Sequence, residues 1–217
     1  MEELPLFPLN TVLFPGMPLN LHVFEERYKQ MIRLCTSTDR PFGVVLIKQG
    51  EEIGETATPH LIGCSAQITQ VEPLAMGRLN ITAVGVERFQ IFDLKHDRPY
   101  LIGVTEPYPL QTPNLGALIH AGRQLRPWIQ RYLEILAQVS ESQLDLHELP
   151  HDPVKLANLA SFILQIPLHQ KQNLLAYPQA ERWVVELRTI YRREVTLLKA
   201  MLNGPVQNED MGVFSLN

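Results

Sequence analysis

Cysteine is scarce in this sequence. Only two of the 217 residues are cysteine, Cys35 and Cys64. They form no Cys-x-x-Cys pair and no cluster with the spacing of metal ligands. Free cysteine is among the most buried residue types, and thiols stay reduced inside cells. We therefore expect two reduced, buried thiols in a protein of a reducing compartment.

An excess of positive charge is also lacking. Nineteen lysines and arginines face 23 acidic residues, which gives a net charge of -4 and a pI of about 6.0. A general nucleic-acid binder carries the opposite imbalance. The apolar run Val44–Ile47 is far short of the roughly 20 residues that span a bilayer, and the N-terminus lacks the pattern of a secretory signal. We expect a soluble, cytoplasmic protein without integral membrane insertion.

Sequence motifs of catalysis are missing as well. None of the twelve glycines precedes a lysine, so the phosphate-binding loop of nucleotide hydrolases is excluded. The Gly-x-Ser-x-Gly elbow of serine hydrolases is absent too. The sequence therefore predicts no catalytic residue, no cofactor and no metal, and it identifies no peptide-binding residue.

One short motif resembles a zinc site. His147-Glu148-Leu149-Pro150-His151 matches the His-Glu-x-x-His pattern of metalloproteases. That chemistry needs both histidines one turn apart on one helical face. Pro150 removes a backbone donor and moves the preceding residue away from helical angles. We interpret the motif as a loop, and a metal-dependent hydrolase remains the third hypothesis.

Strand-like patterns come first in the chain and helical patterns follow. This order predicts an α+β protein, with a β-rich subdomain over residues 1–110, a helical subdomain over 111–202 and a flexible tail over 203–217. Strands with this spacing indicate a small barrel or pseudo-barrel. Proline in the opening segment predicts short strands or sheet edges there. The predicted strands cover 19–23, 42–48, 62–71, 79–83, 89–92 and 101–104, with a helix over 25–35.

One glycine and two prolines mark predicted irregularities. Gly85 interrupts a strand, which predicts a bulge or a close approach of two backbones. Pro127 should kink or restart a helix that begins near Leu115. Asp152 followed by Pro153 is the pattern of a helix N-cap and first turn.

The final helix has the clearest apolar stripe. Its members recur at helical spacing and are Val184, Leu187, Tyr191, Val195, Leu198 and Leu202. Trp183 beside them is interpreted as packing, with a contact role as the alternative. Arg188 belongs to a basic cluster on this helix that would serve RNA binding, and its members are Arg182, Arg188, Arg192, Arg193 and Lys199. Arg88, after Glu87, is interpreted as an ion pair or a cap of a loop carbonyl, with ligand binding as the alternative.

Several stretches together resemble the N-terminal substrate-binding domain of Lon proteases. The resemblance begins with Leu4–Leu9, Val12–Gly16 and Phe24–Tyr28. It continues through the stretches 42–47, 62–66, 77–89, 156–161, 171–175 and 181–182. Together they extend over residues 4–202, in the order that the family shows.

The resemblance implies a fold and a function. The fold would be a PUA-like β pseudo-barrel followed by a helical bundle. The chain would be a stand-alone module without the ATPase and Ser–Lys peptidase domains of a complete Lon protease. It would act as an adaptor, a chaperone-like factor or an assembly factor that binds other polypeptides, either unfolded or degron-bearing chains or one specific client. RNA binding is the alternative.

Overall fold

The computed structural model describes residues 1–50, 57–140 and 149–202. This part of the chain contains seven strands and five helices, and all of the strands precede the second helix. The strands are β1 (Glu2–Leu9), β2 (Pro18–Val23), β3 (Phe42–Gln49), β4 (Thr58–Pro59), β5 (Ile62–Pro73), β6 (Leu79–Lys95) and β7 (Ile102–Pro107). The helices are α1 (Glu26–Thr38), α2 (Leu115–Ser140), α3 (Pro153–Ile163), α4 (Leu168–Leu175) and α5 (Ala180–Leu202).

The strands form one sheet that closes on itself. Its order is β1-β7-β6-β5-β3-β4, and β2 adds to β6. Closure comes from parallel pairing of β1 with β3, in which Leu6 lies opposite Gly43. The other pairs are antiparallel. The predicted α+β class and the pseudo-barrel followed by helices are confirmed, in the form of a ring-like sheet rather than a regular barrel.

The prolines of β1 sit inside this ring, which differs from the prediction of short or edge strands. β1 is eight residues long, and it contains Pro5 and Pro8. Its first half pairs with β7, up to Pro5 opposite Ile102. Its second half pairs with β3. Because each half uses a different neighbour, a residue without an N–H is accommodated within the closed sheet.

Gly85 allows two backbones to approach closely, as predicted. It accepts a hydrogen bond from the Gly16 N–H at 2.7 Å and donates one to the Met17 carbonyl at 2.9 Å. A β-carbon at this position would collide with the carbonyl oxygen of Phe14. The register with β5 shifts beside it, between Cys64 and Ala66, which is the expected bulge. However, β6 continues through Gly85 as one strand of 17 residues.

The helical predictions hold with one correction. α2 does not restart at Pro127, which lies inside a helix of 26 residues. Leu125 and Ile129, on either side of the proline, are fully buried and hold both turns against the core. Asp152 caps α3 as predicted, accepting hydrogen bonds from the N–H groups of residues 154 and 155 at 3.0 and 2.8 Å. None of the described helices combines the length and apolar character that crossing a membrane requires.

The apolar stripe of α5 becomes more exposed toward the C-terminal end of the helix. Val184, Leu187 and Tyr191 are fully buried. Leu198 is partly buried, and Leu202 is 50% exposed. Trp183 is 2% exposed and belongs to the same core, so its packing role is confirmed.

A buried arginine joins the sheet to the helices. Nη1 of Arg88 donates to the carbonyls of Leu175 and Tyr177 at 2.8 and 2.6 Å. Its guanidinium also lies 4.9 Å from the ring centre of Tyr108. Burial lowers the pKa of Arg88 to about 10, which leaves it charged near neutral pH. The interpretation of Arg88 as a cap of loop carbonyls is confirmed.

Candidate polypeptide-binding groove

One strand of the sheet has an open edge. β2 pairs with β6 from Pro18 opposite Val84 to Val23 opposite Leu79. Among the described residues, no strand pairs with its other side. The exposed edge of a strand presents N–H and C=O groups that can pair with another chain. β2 therefore offers the backbone chemistry that an extended polypeptide uses.

A groove of about 390 Å³ runs along β2. We call it the β2 groove. Its far wall is the end of β1 and the turn after it, and its end is the start of α1. The lining is predominantly apolar and consists of Phe7, Leu9, Asn10, Thr11, Leu19, Asn20, Leu21, His22, Val23, Phe24, Glu25 and Tyr28.

Two large apolar side chains are exposed at the end of the sheet where β2 stops, and Phe24 is the one that lines the groove. Phe24 is 51% exposed and Met76 is 91% exposed. Phe24 follows Val23, which pairs with Leu79 at the start of β6, and Met76 lies in the short turn just before that residue. Both side chains therefore belong to the same end of the sheet. Exposed apolar groups that adjoin a groove are typical of interaction sites.

The charges around the β2 groove are neutralised in pairs. Arg27 donates to the Glu25 carboxylate at 2.9 Å, and its guanidinium lies 4.5 Å from the ring centre of Tyr28. One turn along, Lys29 contacts the Glu26 carboxylate at 2.6 Å. That hydrogen bond lowers the pKa of Glu26. Glu25, the acidic residue of the groove lining, is therefore neutralised by Arg27, and the predominantly apolar lining favours apolar ligands.

Comparison with known proteins identifies the family of this chain. Residues 3–190 match the family described as the ATP-dependent protease La (LON) substrate-binding domain. The chain belongs to this family. The resemblance in the sequence, over residues 4–202, is thereby confirmed.

Curated Lon proteases are similar over nearly the whole chain. "Lon protease 2" of Myxococcus xanthus is 25% identical in an alignment 214 positions long, which covers 96% of this chain and 26% of the relative. "Lon protease 2" of Herpetosiphon aurantiacus is 28% identical in an alignment 216 positions long, which covers 95% of this chain and 25% of the relative. The chain therefore spans about a quarter of the length of these relatives.

Two solved structures share the fold. A Lon N-terminal domain protein from Xanthomonas campestris is 26% identical, with a TM-score of 0.59 over 87% of this chain and 98% of that one. The N-terminal domain of a Mycobacterium avium complex Lon protease is 18% identical, with a TM-score of 0.63 over 88% of this chain and 98% of that one. The second similarity establishes the fold alone.

The His-Glu-x-x-His segment of this Lon-family chain is only partly described. His147 and Glu148 lie outside the described residues, as does the predicted tail, 203–217. His151 precedes α3 and lines a cavity of about 510 Å³ together with Arg123 and Arg126. Two guanidiniums make a poor environment for a cation. The described residues contain no group of three side chains suited to a metal.

The two thiols are buried and free, as predicted. Burial raises the pKa of Cys35 to about 11 and that of Cys64 to about 12. The thiolate is the reactive form of cysteine. Both side chains are therefore protonated near neutral pH and serve as packing groups.

The basic cluster predicted on α5 is divided between two neighbours. Arg188 donates to Gln124 of α2, and Arg192 lies over Trp128 of the same helix. Arg193 turns the other way, to Gln170 of α4 and to Glu194. Three of the five cations of α5 are therefore directed to different neighbours. RNA binding stays a prediction.

The β2 groove itself was not predicted from the sequence. The strand 19–23 was predicted correctly, but its open edge depends on its pairing with residues 79–84, about 60 positions later. One signal was available in the sequence. Phe24 follows the last residue of the strand, where an aromatic side chain has no place in the alternating inward pattern.

Proposed function

We propose that this chain binds extended, apolar segments of other polypeptides in the β2 groove and catalyses no reaction on them. The observation that carries this proposal is the union of an open strand edge with an apolar, charge-neutral groove. An extended peptide can add to such an edge through its backbone, while alternate side chains enter the groove. This chemistry is tolerant of sequence, as recognition of varied unfolded chains requires.

The family supports the same proposal. Its description names substrate binding, and the relatives are named as Lon proteases. Phe24 is an exposed apolar group that lines the groove, and the exposed Met76 lies at the same end of the sheet. We propose a cytoplasmic adaptor, chaperone-like factor or assembly factor that presents an apolar segment to a partner rather than cleaving it.

A matched pair of substitutions tests the β2 groove. Phe24 and Phe92 are 51% and 52% exposed, but only Phe24 lines the groove. We expect Phe24→Ser to weaken binding of an unfolded polypeptide about tenfold, because aromatic anchors dominate interface energies. Phe92→Ser should change binding less than twofold. Fluorescence anisotropy with a reduced, carbamidomethylated and labelled model protein measures both.

The same experiment contains the outcomes that overturn the proposal. Equal losses for the two variants would mean that general surface hydrophobicity, and not the β2 groove, captures the unfolded chain. Unchanged binding for both would place the site elsewhere. Far-UV circular dichroism of each variant provides the control for folding. Both variants should fold, because both side chains are half exposed and contribute little to the core.

A further inference from the structure

A second surface lies on the helical side of the molecule. α2 and α5 pack together, and Tyr132 meets Tyr191 edge to face with ring centres 5.2 Å apart. On the outside of this contact, the guanidiniums of two exposed arginines lie over one indole ring. Arg131 is 4.9 Å and Arg192 is 5.5 Å from the ring centre of Trp128. We call Trp128, Arg131, Arg188 and Arg192 the arginine seam.

The cations of the arginine seam have neutral partners. Arg188 donates to the side-chain oxygen of Gln124. Arg131 and Arg192 contact the indole ring. In the described parts of the chain, none of the three lies within 4.0 Å of a carboxylate.

Three other arginines of the same molecule do pair with carboxylates. Arg27 pairs with Glu25 at 2.9 Å, and Arg33 lies 3.5 Å from Glu26. On α5 itself, Arg193 pairs with its neighbour, residue 194, at 2.9 Å. The seam differs from these ion pairs because two of its guanidiniums lie over one indole ring and contact no described carboxylate.

This arrangement has an electrostatic consequence. Each guanidinium is attracted by the indole face, but like charges one turn apart on a helix repel, as Arg188 and Arg192 do. A bound anion would relieve that repulsion. Guanidinium groups hold carboxylates by two parallel hydrogen bonds, which makes arginine suited to this ligand.

We propose that the arginine seam binds an acidic segment of a partner polypeptide, one that carries at least two carboxylates beside an apolar side chain. Val185 is 43% exposed and lies one turn before Arg188, on the same side of α5, where it can contact that apolar side chain. This surface lies apart from the β2 groove and does not depend on the function proposed for it.

The observations favour a polypeptide over a nucleic acid. The cationic area is confined to three arginines, and the exposed Glu134 lies one turn beyond Arg131 on α2. A long polyanion would meet this carboxylate and others in a chain whose net charge is -4. A base would also have to compete with two guanidiniums for the indole ring. A short acidic segment can place its carboxylates on the three arginines without extending over other acidic residues, and it does not need the indole ring.

Charge-matched variants test the arginine seam. The first is the double variant Arg131→Gln/Arg192→Gln. The control, Arg182→Gln/Arg193→Gln, removes the same charge from exposed positions of α5 outside the seam. The probe is a labelled twelve-residue peptide of alternating glutamate and leucine, titrated by fluorescence anisotropy. The titration is done in about 50 mM and in about 300 mM NaCl, because the higher salt concentration screens exposed charges more strongly.

We expect the seam variant to lose at least tenfold in affinity and the control less than twofold. Binding by the unchanged protein should also weaken at the higher salt concentration. Equal losses in both variants, or no binding of the peptide, would overturn the proposal. An oligouridylate of the same length provides the last comparison. Tighter, seam-dependent binding of the RNA than of the peptide would overturn it in favour of a nucleic-acid surface.

Discussion

The two halves of this molecule depend on each other unequally. The core around the helices includes Val12, Phe14 and Leu46, which come from the β-rich half. The cores of the β-rich half take all of their described buried residues from positions 4–102. The helices therefore complete their core with side chains of the sheet, whereas the sheet does not use theirs.

This asymmetry concerns stability rather than chemistry. Removing the helices from their place would expose Phe14, a fully buried residue of the segment between β1 and β2. Removing the sheet would leave the helices without part of their core. We infer that the β-rich half is the more autonomous of the two and that the helical half is the first to open.

The two halves also contain separate natural probes. Both tryptophans of the chain, Trp128 and Trp183, lie in the helices, and both cysteines lie in the β-rich half. Tryptophan fluorescence therefore reports on the helices, and protection of the thiols from a thiol reagent reports on the sheet. The predictions below use this separation.

The largest effect is expected from a charge in the helical core. Leu187 is fully buried, so Leu187→Glu should lower the free energy of unfolding by about 4 kcal/mol or more. Tryptophan fluorescence should shift to that of exposed indole while the thiols stay protected. Thr189→Glu, at an exposed position of the same helix, should change stability by less than about 0.5 kcal/mol. Simultaneous loss of thiol protection would mean that the halves unfold as one unit.

An intermediate effect is expected at the connection between the halves. Arg88→Met removes the donor of two carbonyls, at Leu175 and Tyr177. Leaving buried acceptors without a donor costs about 1–3 kcal/mol each. We expect the fluorescence and thiol transitions to separate along a urea gradient, with the fluorescence transition first. Arg78→Met, at an exposed arginine of the β5–β6 turn, is the control. Coincident transitions in Arg88→Met would assign Arg88 no role in joining the halves.

The smallest effect is a dependence on pH that belongs to the β-rich half. Burial raises the pKa of Cys64 from its ordinary value of 9.0 to about 12. The unfolded chain releases this proton from about pH 9 upward, while the folded chain retains it. Stability is thus fully present below pH 9 and is lost as pH rises toward 12, by up to about 1.4 kcal/mol per pH unit. Urea unfolding at about pH 8, 9 and 10 measures the free energy of unfolding at each pH. This free energy should fall less steeply with pH in Cys64→Ala than in the unchanged protein, and an equal fall in both would contradict the assignment.

Local features of the fold were predictable from the sequence. The buried face of α1 consists of Tyr28, Met31, Ile32 and Cys35, which are the residues that the helical spacing selects. Asp152 before Pro153 marked the start of α3 because capping is a local interaction. The turn at Pro15 and Gly16 was predictable for the same reason, since the positive φ of 78° at Gly16 favours glycine.

Features that depend on distant contacts were not predictable. Pro127 breaks a helix in isolation, but burial of Leu125 and Ile129 holds α2 continuous. The arginine seam joins residues about 60 positions apart through helix packing, which no spacing in the sequence reveals. The β2 groove has the same origin in a long-range strand pairing. Both candidate surfaces are products of topology.

The two-part pairing of β1 has a consequence for a chain that folds as it is synthesised. Residues 6–9 find their partners at positions 43–46, which a ribosome supplies early. Residues 2–5 pair with positions 102–105 and must wait for about a hundred residues. During that interval, half of β1 can be held in place while the other half remains an unpaired edge. The ring therefore closes in two stages, and its first four strand residues are among the last to be protected from other chains in the cell.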